Sequence, residues 1–157
     1  MVNFQTLCED IKHWGKELGF QQVGVTDADL QEAEIRLLNW LKLGRHGEMG
    51  YMARHGTRRT RPAELVSGTV RVISARLDYL PDGATPIEDV LADSHQAFVS
   101  RYALGRDYHK LIRRRLQALV DRIRERVGPF GYRVFTDSAP VMERALAQKA
   151  GLGWIGK

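Results

Sequence analysis

Cysteine is nearly absent from this sequence, which has 157 residues and one cysteine, Cys8. A single thiol cannot close a disulfide within the chain, and it cannot supply the ligands of an iron–sulfur cluster or a zinc–cysteine site. Cys8 lies in the apolar stripe of an amphipathic segment, so we predict that it packs in the core. The sequence thereby excludes small disulfide scaffolds and cysteine-ligated metal centres built from this chain alone.

Long apolar runs and metal-ligand spacings are also missing. There is no stretch of about 20 uncharged apolar residues, so we predict no membrane span. The N-terminal segment carries acids and lacks the apolar centre of a secretory signal, so we expect a cytoplasmic protein. The five histidines are scattered, and no cluster of His, Cys, Asp or Glu has ligand spacing. We therefore predict no metal-binding residues.

Arginine is abundant, and it is concentrated in two places. The chain has 24 Lys+Arg against 19 Asp+Glu, a net charge of +5. One cluster is "RHGTRRTR", residues 54–61, in a stretch rich in Gly, His and Met; the other follows a helical period over 107–127. Planar guanidinium forks suit phosphate or carboxylate groups. The first cluster fits a phosphate-bearing cofactor, RNA or a solvated surface, and the helical cluster fits a solvated surface or a nucleic-acid backbone; the residues alone leave these alternatives open.

The periodicity predicts an α/β (α+β) fold, in which a central mixed sheet of about four or more strands is flanked by helices. We expect one domain over 1–157. The predicted helices are 3–18, 29–43, 107–127 and "APVMERALAQKAG"; the predicted strands are "QQVGVTD", "TVRVISARLDYLP", "QAFVSRYAL" and "YRVFTD"; residues 44–65 and 82–94 are predicted loops.

Two stretches place polar side chains where a predicted strand ends and a helix begins, which is where α/β proteins bind ligands. "RYALGRDYHK", residues 101–110, contains Asp107, a suitable N-cap for the next helix. "VFTDSAPVMER" places Asp137 after a strand, with Ser138 as the expected helix cap. Asp137 could donate a proton only if burial raised its pKa, and the helix N-terminus and Arg144 would act in the opposite direction. The residues leave its protonation open.

The glycines of "AGLGWIGK", residues 150–157, match the dinucleotide-binding pattern G-x-G-x-x-G. That pattern binds pyrophosphate only between a strand and a following helix. Here the glycines follow a helix, and Gly151 is suited to ending it. We therefore predict a helix exit rather than a nucleotide site.

Three stretches together resemble epoxyqueuosine reductases: "GRHGEMGYMARH", "YALGRDYHKLIRRRL" and "RVFTDSAPVMERALAQKAGLGWIGK". The resemblance covers residues from about 19 to 157. It implies the N-terminal cobalamin and substrate domain of an oxidoreductase of queuosine biosynthesis. That enzyme reduces epoxyqueuosine to queuosine in the anticodon loop of certain tRNAs, and it draws electrons from a donor. The family carries two [4Fe–4S] clusters in a ferredoxin-like part that this chain does not contain.

The resemblance also implies roles for individual residues. Asp137, in "DSAP", corresponds to the proposed proton donor, and Arg144 to an arginine that faces the same pocket. Tyr102, with Arg58 or Arg61, is the candidate for contacts to the corrin side chains or the nucleotide tail. We expect a monomer that does not turn over alone, because the cluster cysteines are missing. The alternatives are a non-enzymatic RNA-binding module and a reductase of another small molecule on a similar cobalamin core.

Overall fold

The secondary structure is mostly helical. The structure, a computed structural model, describes residues 3–80 and 82–156. Its helices are α1 Phe4–Glu17, α2 Gln31–Lys42, α3 Tyr51–Arg54, α4 Pro62–Leu65, α5 Ile87–Ala92, α6 Tyr108–Val127 and α7 Glu143–Lys149. Short 3-10 turns cover Gly56–Arg59 and Arg101–Ala103, and the strands are β1 Gln22–Thr26 and β2 Val72–Arg76. Within the described residues, no helix has the length and hydropathy needed to cross a bilayer.

The sheet of the described residues consists of β1 and β2, paired antiparallel with Gln22 opposite Arg76 and Thr26 opposite Val72. The mixed α/β class is confirmed, but the prediction of about four or more strands is wrong. Residues 96–100 and 132–135 form no strand. Phe98 and Val99 are 42% and 48% exposed, so this apolar run has no partner strand to pair with. Short apolar runs of this kind do not distinguish a strand from an irregular segment.

Other predicted bounds also change. The polar stretch 82–94 contains α5, which begins after Pro86. The segment 44–65 is a loop with short helical turns, as predicted. The predicted end of the second strand, Pro81, lies outside the described residues. The helix expected from residue 139 begins at Glu143, and Ser138 does not cap it. Instead, the Ser138 hydroxyl accepts a hydrogen bond of 3.2 Å from Arg113.

The two long helices begin and end where local chemistry satisfies their backbone. The Asn3 side chain accepts from the N–H groups of Gln5 and Thr6 at the start of α1. Asp107 accepts from the N–H of His109 at the start of α6. Gly128 ends α6 with a φ of 87°, a left-handed conformation that a residue without Cβ adopts readily. The helix cap predicted at Asp107 is confirmed.

The core has two parts. The first lies between α1, the sheet and α6, and its buried members are Ile11, Phe20, Val23, Leu119 and Ile123. The second joins α2 to the segment before α7, and its buried members are Leu30, Ala33, Val141 and Leu146. Cys8 lies on α1 and is half-buried, so it is less enclosed than predicted. The second cluster positions the loop that carries Asp137, because Phe135 and Val141 pack into it on either side of that residue.

The end of α7 packs against β1 at Gly24. A Cβ at that position would lie 2.3 Å from the carbonyl oxygen of Ala150 and 2.4 Å from Leu152 Cδ1. The Gln22 side chain donates to the carbonyl oxygen of Gly151 at 3.2 Å. Gly151 has a φ of 78° directly after the helix, so its predicted role as the helix end is confirmed. Gly151 therefore ends a helix whose exit packs against β1 through Ala150 and Leu152.

Candidate functional site

Asp137 has an unusual backbone conformation. Its φ is 53°, and it is the one non-glycine residue with positive φ among residues 3–80 and 82–156. The preceding Thr136 is 8% exposed and the following segment is anchored by Val141, while 52% of the Asp137 side chain is exposed. Left-handed backbone at a residue with a Cβ costs free energy and is often found at functional sites. The fold therefore holds this carboxylate outward in a left-handed turn, a conformation that aspartate adopts more often than most residues with a Cβ.

Tyr108 fixes the Asp137 carboxylate. Its hydroxyl donates to Asp137 Oδ2 at 2.5 Å. This hydrogen bond, followed by burial and by the negative charge of Asp137, raises the pKa of Tyr108 to about 12. Tyr108 is the first residue of α6, directly after the Asp107 cap, so the helix start determines its position. The phenol therefore stays protonated and acts as a donor across the ordinary pH range.

His109 lies between two carboxylates. Its Nδ1 is 2.9 Å from Asp107 Oδ1, and its Nε2 is 3.7 Å from Asp137 Oδ2. The same Asp107 oxygen accepts the backbone N–H of His109 at 2.9 Å. The hydrogen bond from the His109 side chain, followed by that from its backbone, lowers the pKa of Asp107. The imidazole stacks on the Tyr108 ring with a centroid separation of 4.1 Å. Tyr108 therefore donates a hydrogen bond to Asp137 Oδ2, and His109 Nε2 faces the same oxygen.

Glu143 adds a second carboxyl group to this site. The residue is exposed overall, but neighbouring atoms partly enclose its carboxyl group. This burial, followed by the negative charge of Asp137, raises the pKa of Glu143, while the backbone N–H of Asp137 acts in the opposite direction. The first turn of α7 therefore places a second carboxyl group next to Asp137.

Tyr102 and Arg144 lie around this cluster. Tyr102 is 55% exposed, and its ring meets Tyr108 edge-to-face at 6.3 Å and Tyr79 at 6.5 Å. Arg144 follows Glu143 in the first turn of α7 and is exposed. Within the described part of the chain, no hydrogen bond or ion pair occupies its guanidinium. The structure brings Tyr102 to Asp137 through Tyr108 and leaves Arg144 accessible.

Arg61 is held by acidic side chains. Its Nε and one terminal nitrogen donate to the two oxygens of Glu34 at 2.9 and 2.7 Å, and its other terminal nitrogen donates to Glu64 at 3.2 Å. The Arg61 hydrogen bond, followed by one from Thr60, lowers the pKa of Glu34 to about 2, and Glu34 in turn raises the pKa of Arg61. The ion pair with Glu34 connects the arginine-rich segment 54–61 to α2.

Arg58 is different, because it is exposed and its side chain has no hydrogen bond or ion pair within residues 3–80 and 82–156. No hydrogen bond or ion pair among these residues joins Arg58 or Arg61 to the Asp137 cluster. The sequence-predicted site residues therefore fall into two groups. Asp137 and Tyr102 share a cluster, whereas the two arginines lie in the loop between α2 and β2.

Residues 59–138, about half of the chain, match the sequence model of the family described as "Epoxyqueuosine reductase QueG, DUF1730". This chain belongs to the epoxyqueuosine reductase family. The epoxyqueuosine reductase of Pseudomonas aeruginosa is 65% identical over 151 residues, which are 96% of this chain and 42% of the relative. The resemblance seen in the sequence is confirmed.

Solved structures of epoxyqueuosine reductases share the fold. A crystal structure of a selenomethionine-labelled member superposes with a TM-score of 0.77 at 23% identity, over 97% of this chain and 40% of the other. Another was determined with an epoxyqueuosine-modified tRNA-Tyr stem loop; it has a TM-score of 0.75 at 22% identity, over 97% of this chain and 40% of the other. The chain therefore spans about two fifths of the length of the relatives it matches.

Two residues of the Asp137 cluster, Tyr108 and His109, had no specific role predicted from the sequence. Both lie in the stretch "RYALGRDYHK", in which specific roles were predicted for Tyr102, as a cofactor contact, and for Asp107, as the helix cap. The available signal was two titratable rings directly after a capping aspartate. Their closeness to Asp137 depends on how α6 packs, and sequence spacing does not give that.

Proposed function

We propose that this chain forms the part of an epoxyqueuosine reductase that carries the general acid, Asp137. The proposal rests on one observation: a family member holds a half-exposed aspartate in a left-handed turn, with its carboxylate anchored by Tyr108. Anchored acids beside an open surface are suited to proton transfer to a bound substrate. The proposed substrate is epoxyqueuosine at the anticodon loop of tRNA, and the proposed product is queuosine.

The chemistry requires two electrons and two protons for each epoxide, because the C–O–C ring becomes an alkene and water. In this scheme Asp137 supplies one of the two protons: its O–H bond breaks and the proton goes to the oxygen that leaves carbon, while solvent supplies the second proton. The carboxyl group must then be protonated when the substrate is bound, and with 52% of its side chain exposed the chain alone does not enclose it. We propose that bound substrate and cofactor cover it and disfavour the carboxylate by removing water.

The residues around Asp137 fit a cobalamin. Thr136 Oγ1, next to Asp137 in the chain, is buried without a hydrogen-bond partner among the described residues, and the site also presents the exposed ring of Tyr102 and the exposed side chain of Arg144. Corrin amides and the nucleotide phosphate require such polar groups beside apolar surface. We propose that Tyr102, Arg144 and Arg58 hold it, whereas Arg61 would first have to leave Glu34. When bound, cobalamin would supply the reducing electrons to the substrate carbon.

Iron–sulfur clusters do not fit this chain, since Cys8 is its single cysteine and one thiol cannot hold a cluster. The two [4Fe–4S] clusters implied by the family would therefore be ligated outside these 157 residues. We propose that they pass electrons from a donor to the cofactor, and that the residues described here form the N-terminal cobalamin and substrate domain of a monomeric enzyme. A tRNA substrate would place that enzyme in the cytoplasm.

The test is a chimaera in which this chain replaces the segment of the Pseudomonas aeruginosa reductase to which it aligns. It is supplied to cells without their own epoxyqueuosine reductase, and tRNA nucleosides are measured by mass spectrometry. We expect queuosine from the unsubstituted chimaera. With purified proteins, Asp137→Asn should lower the rate about 10²–10⁴-fold, the range for loss of a general acid, with tRNA affinity retained. The matched control is Asp89→Asn, an exposed carboxylate on α5.

Each alternative predicts a different result. An RNA-binding module would give tRNA affinity and no queuosine from the unsubstituted chimaera, which would end the proposal. A reductase of another small molecule would also give no queuosine, and in that case the chimaera would not bind tRNA either. If queuosine forms and Asp137→Asn retains the full rate, the family activity stands and Asp137 is not the acid.

A further inference from the structure

The imidazole of His109 has a fixed orientation. Asp107 Oδ1 lies 2.9 Å from Nδ1, a carboxylate that accepts and does not donate, so Nδ1 carries a proton. The backbone N–H of His109 donates to the same oxygen, and the ring is stacked on Tyr108. The other ring nitrogen, Nε2, therefore faces Asp137 Oδ2. Asp107, as the N-cap of α6, is itself held by the helix it starts.

This orientation leaves one proton to be shared by Nε2 and Oδ2. If the imidazole is neutral, its Nε2 lone pair faces Asp137, which suits a protonated carboxyl group. If the imidazole is charged, its Nε2–H faces a carboxylate. The distance of 3.7 Å exceeds a hydrogen bond, and a small rotation of either side chain or one bridging water closes it. Distances of this kind often shorten when substrate binds.

We propose that His109 returns the proton to Asp137 after each turnover, with Asp107 orienting the ring and Tyr108 holding the carboxylate. This inference rests on the proposed function, in which Asp137 loses a proton to the substrate oxygen. The Nε2–H bond of the imidazolium breaks and an O–H bond forms at Asp137 Oδ2. The neutral imidazole then takes a proton from water, which reaches it because 38% of its side chain is exposed. No electron is transferred in this step.

Charged and titratable groups lie near His109 on four segments of the chain. Those on or next to α6 are Asp107, Tyr108 and Lys110, which acts on Asp107; those beyond it are Asp137 in the turn, Glu143 on α7 and Tyr102 in the preceding 3-10 turn. Two arginines lie close by as well: Arg113, one turn further along α6, donates to Ser138 next to Asp137, and Arg144 follows Glu143 on α7. The surroundings of His109 therefore contain both acidic and basic side chains.

The experiment uses the chimaera described above and separates the first turnover from the steady state. Enzyme in which Asp137 is already protonated needs no proton from residue 109 for its first turnover. We therefore expect the first-turnover rate of His109→Gln to lie within about twofold of the first-turnover rate of the unsubstituted chimaera. Its steady-state rate should fall more than about tenfold, because each later turnover waits for a proton. In His109→Ala, added imidazole should restore the steady-state rate, and more so at lower pH, where more imidazolium is present. The matched control is His95→Ala.

Asp107→Asn provides a second variant, because Asn also caps a helix but presents a different partner to Nδ1. We expect it to keep the fold and lower the steady-state rate in the same direction as His109→Gln. An unchanged steady-state rate in His109→Gln overturns the proposal. The proposal is also overturned if the first-turnover rate of His109→Gln falls as much as its steady-state rate. It is overturned as well if added imidazole does not raise the steady-state rate of His109→Ala. An unsubstituted chimaera that makes no queuosine instead overturns the proposed function.

Discussion

At Asp137 the backbone and the side chain are held by different parts of the chain. Buried residues on either side fix the left-handed turn, and Tyr108 from α6 fixes the carboxylate. The sequence predicted Asp137 through the resemblance, and its residue type alone left the role open. Tyr108 and His109 could not be assigned, since their relation to Asp137 spans 29 residues of chain in the case of Tyr108 and requires the packed helix. Local sequence pattern predicts the helix caps, whereas the relative positions of the site residues depend on tertiary packing.

The phenol of Tyr108 should report directly on Asp137. Its pKa is raised to about 12 chiefly by the hydrogen bond to that carboxylate. Asp137→Asn removes the negative acceptor, so we expect the pKa of Tyr108 to move down toward 10, the ordinary value of the residue. Ring-labelled tyrosine followed by NMR against pH measures it, and Tyr108→Phe identifies the signal. An unmoved titration in Asp137→Asn would mean that the two side chains do not meet in solution.

Glu34 should make stability depend on pH in the acid range. Arg61 and Thr60 lower its pKa from 4.5 to about 2, so the charged form is favoured by folding. A depressed carboxyl pKa stabilises the fold above the unfolded value and ceases to do so as pH falls through the folded value. We therefore expect the urea midpoint of wild type to exceed that of Glu34→Gln at neutral pH, with the gap closing between pH 4.5 and about 2. Glu32→Gln, at 91% side-chain exposure, is the control. A gap that stays constant with pH would contradict this account.

Among the secondary-structure elements, the long helices were predictable and the sheet was not. Helices α1 and α6 have regular apolar spacing, a capping residue and a terminal glycine, and each of these acts locally. The expected third and fourth strands had the right residue types, but a strand also needs a neighbouring strand to pair with. Phe98 and Val99 are exposed, and Phe135 instead packs into the second core next to α2 and α7. Tertiary contact therefore decided where local preference was weak.

The packing of α7 on β1 depends on Gly24 having no side chain. Gly24→Ala would place Cβ 2.3 Å from the Ala150 carbonyl oxygen, which belongs to backbone and cannot move freely. We expect a loss of about 1–3 kcal/mol in the free energy of unfolding, the range for overpacking. Gly131→Ala is the matched control, because a Cβ there meets nothing within 4 Å. Urea unfolding measures both, and equal stability of the two variants would show that the helix exit adjusts at little cost.

At the scale of the whole molecule, the proposed acid lies in a chain that cannot by itself hold an iron–sulfur cluster. The chain spans 42% of the length of the Pseudomonas aeruginosa relative and carries one cysteine. We expect the purified 157-residue chain to leave epoxyqueuosine in tRNA unreduced when given a chemical reductant, because it cannot hold a cluster that passes electrons. Nucleoside mass spectrometry measures this, with the chimaera as the positive control. Queuosine formed by the chain alone would show that the clusters are dispensable.

The left-handed turn at Asp137 also determines which substitution at this position is suited to preparing a stable complex with unreacted tRNA. Asparagine and glycine adopt a φ of 53° with little strain, whereas a β-branched residue there would disturb the turn and the buried residues beside it. Asparagine also keeps the shape of the side chain and an oxygen that accepts from Tyr108. Asp137→Asn is therefore the substitution that should yield a correctly folded protein able to retain unreacted tRNA for structure determination. Substitution by valine would confound lost chemistry with a damaged fold.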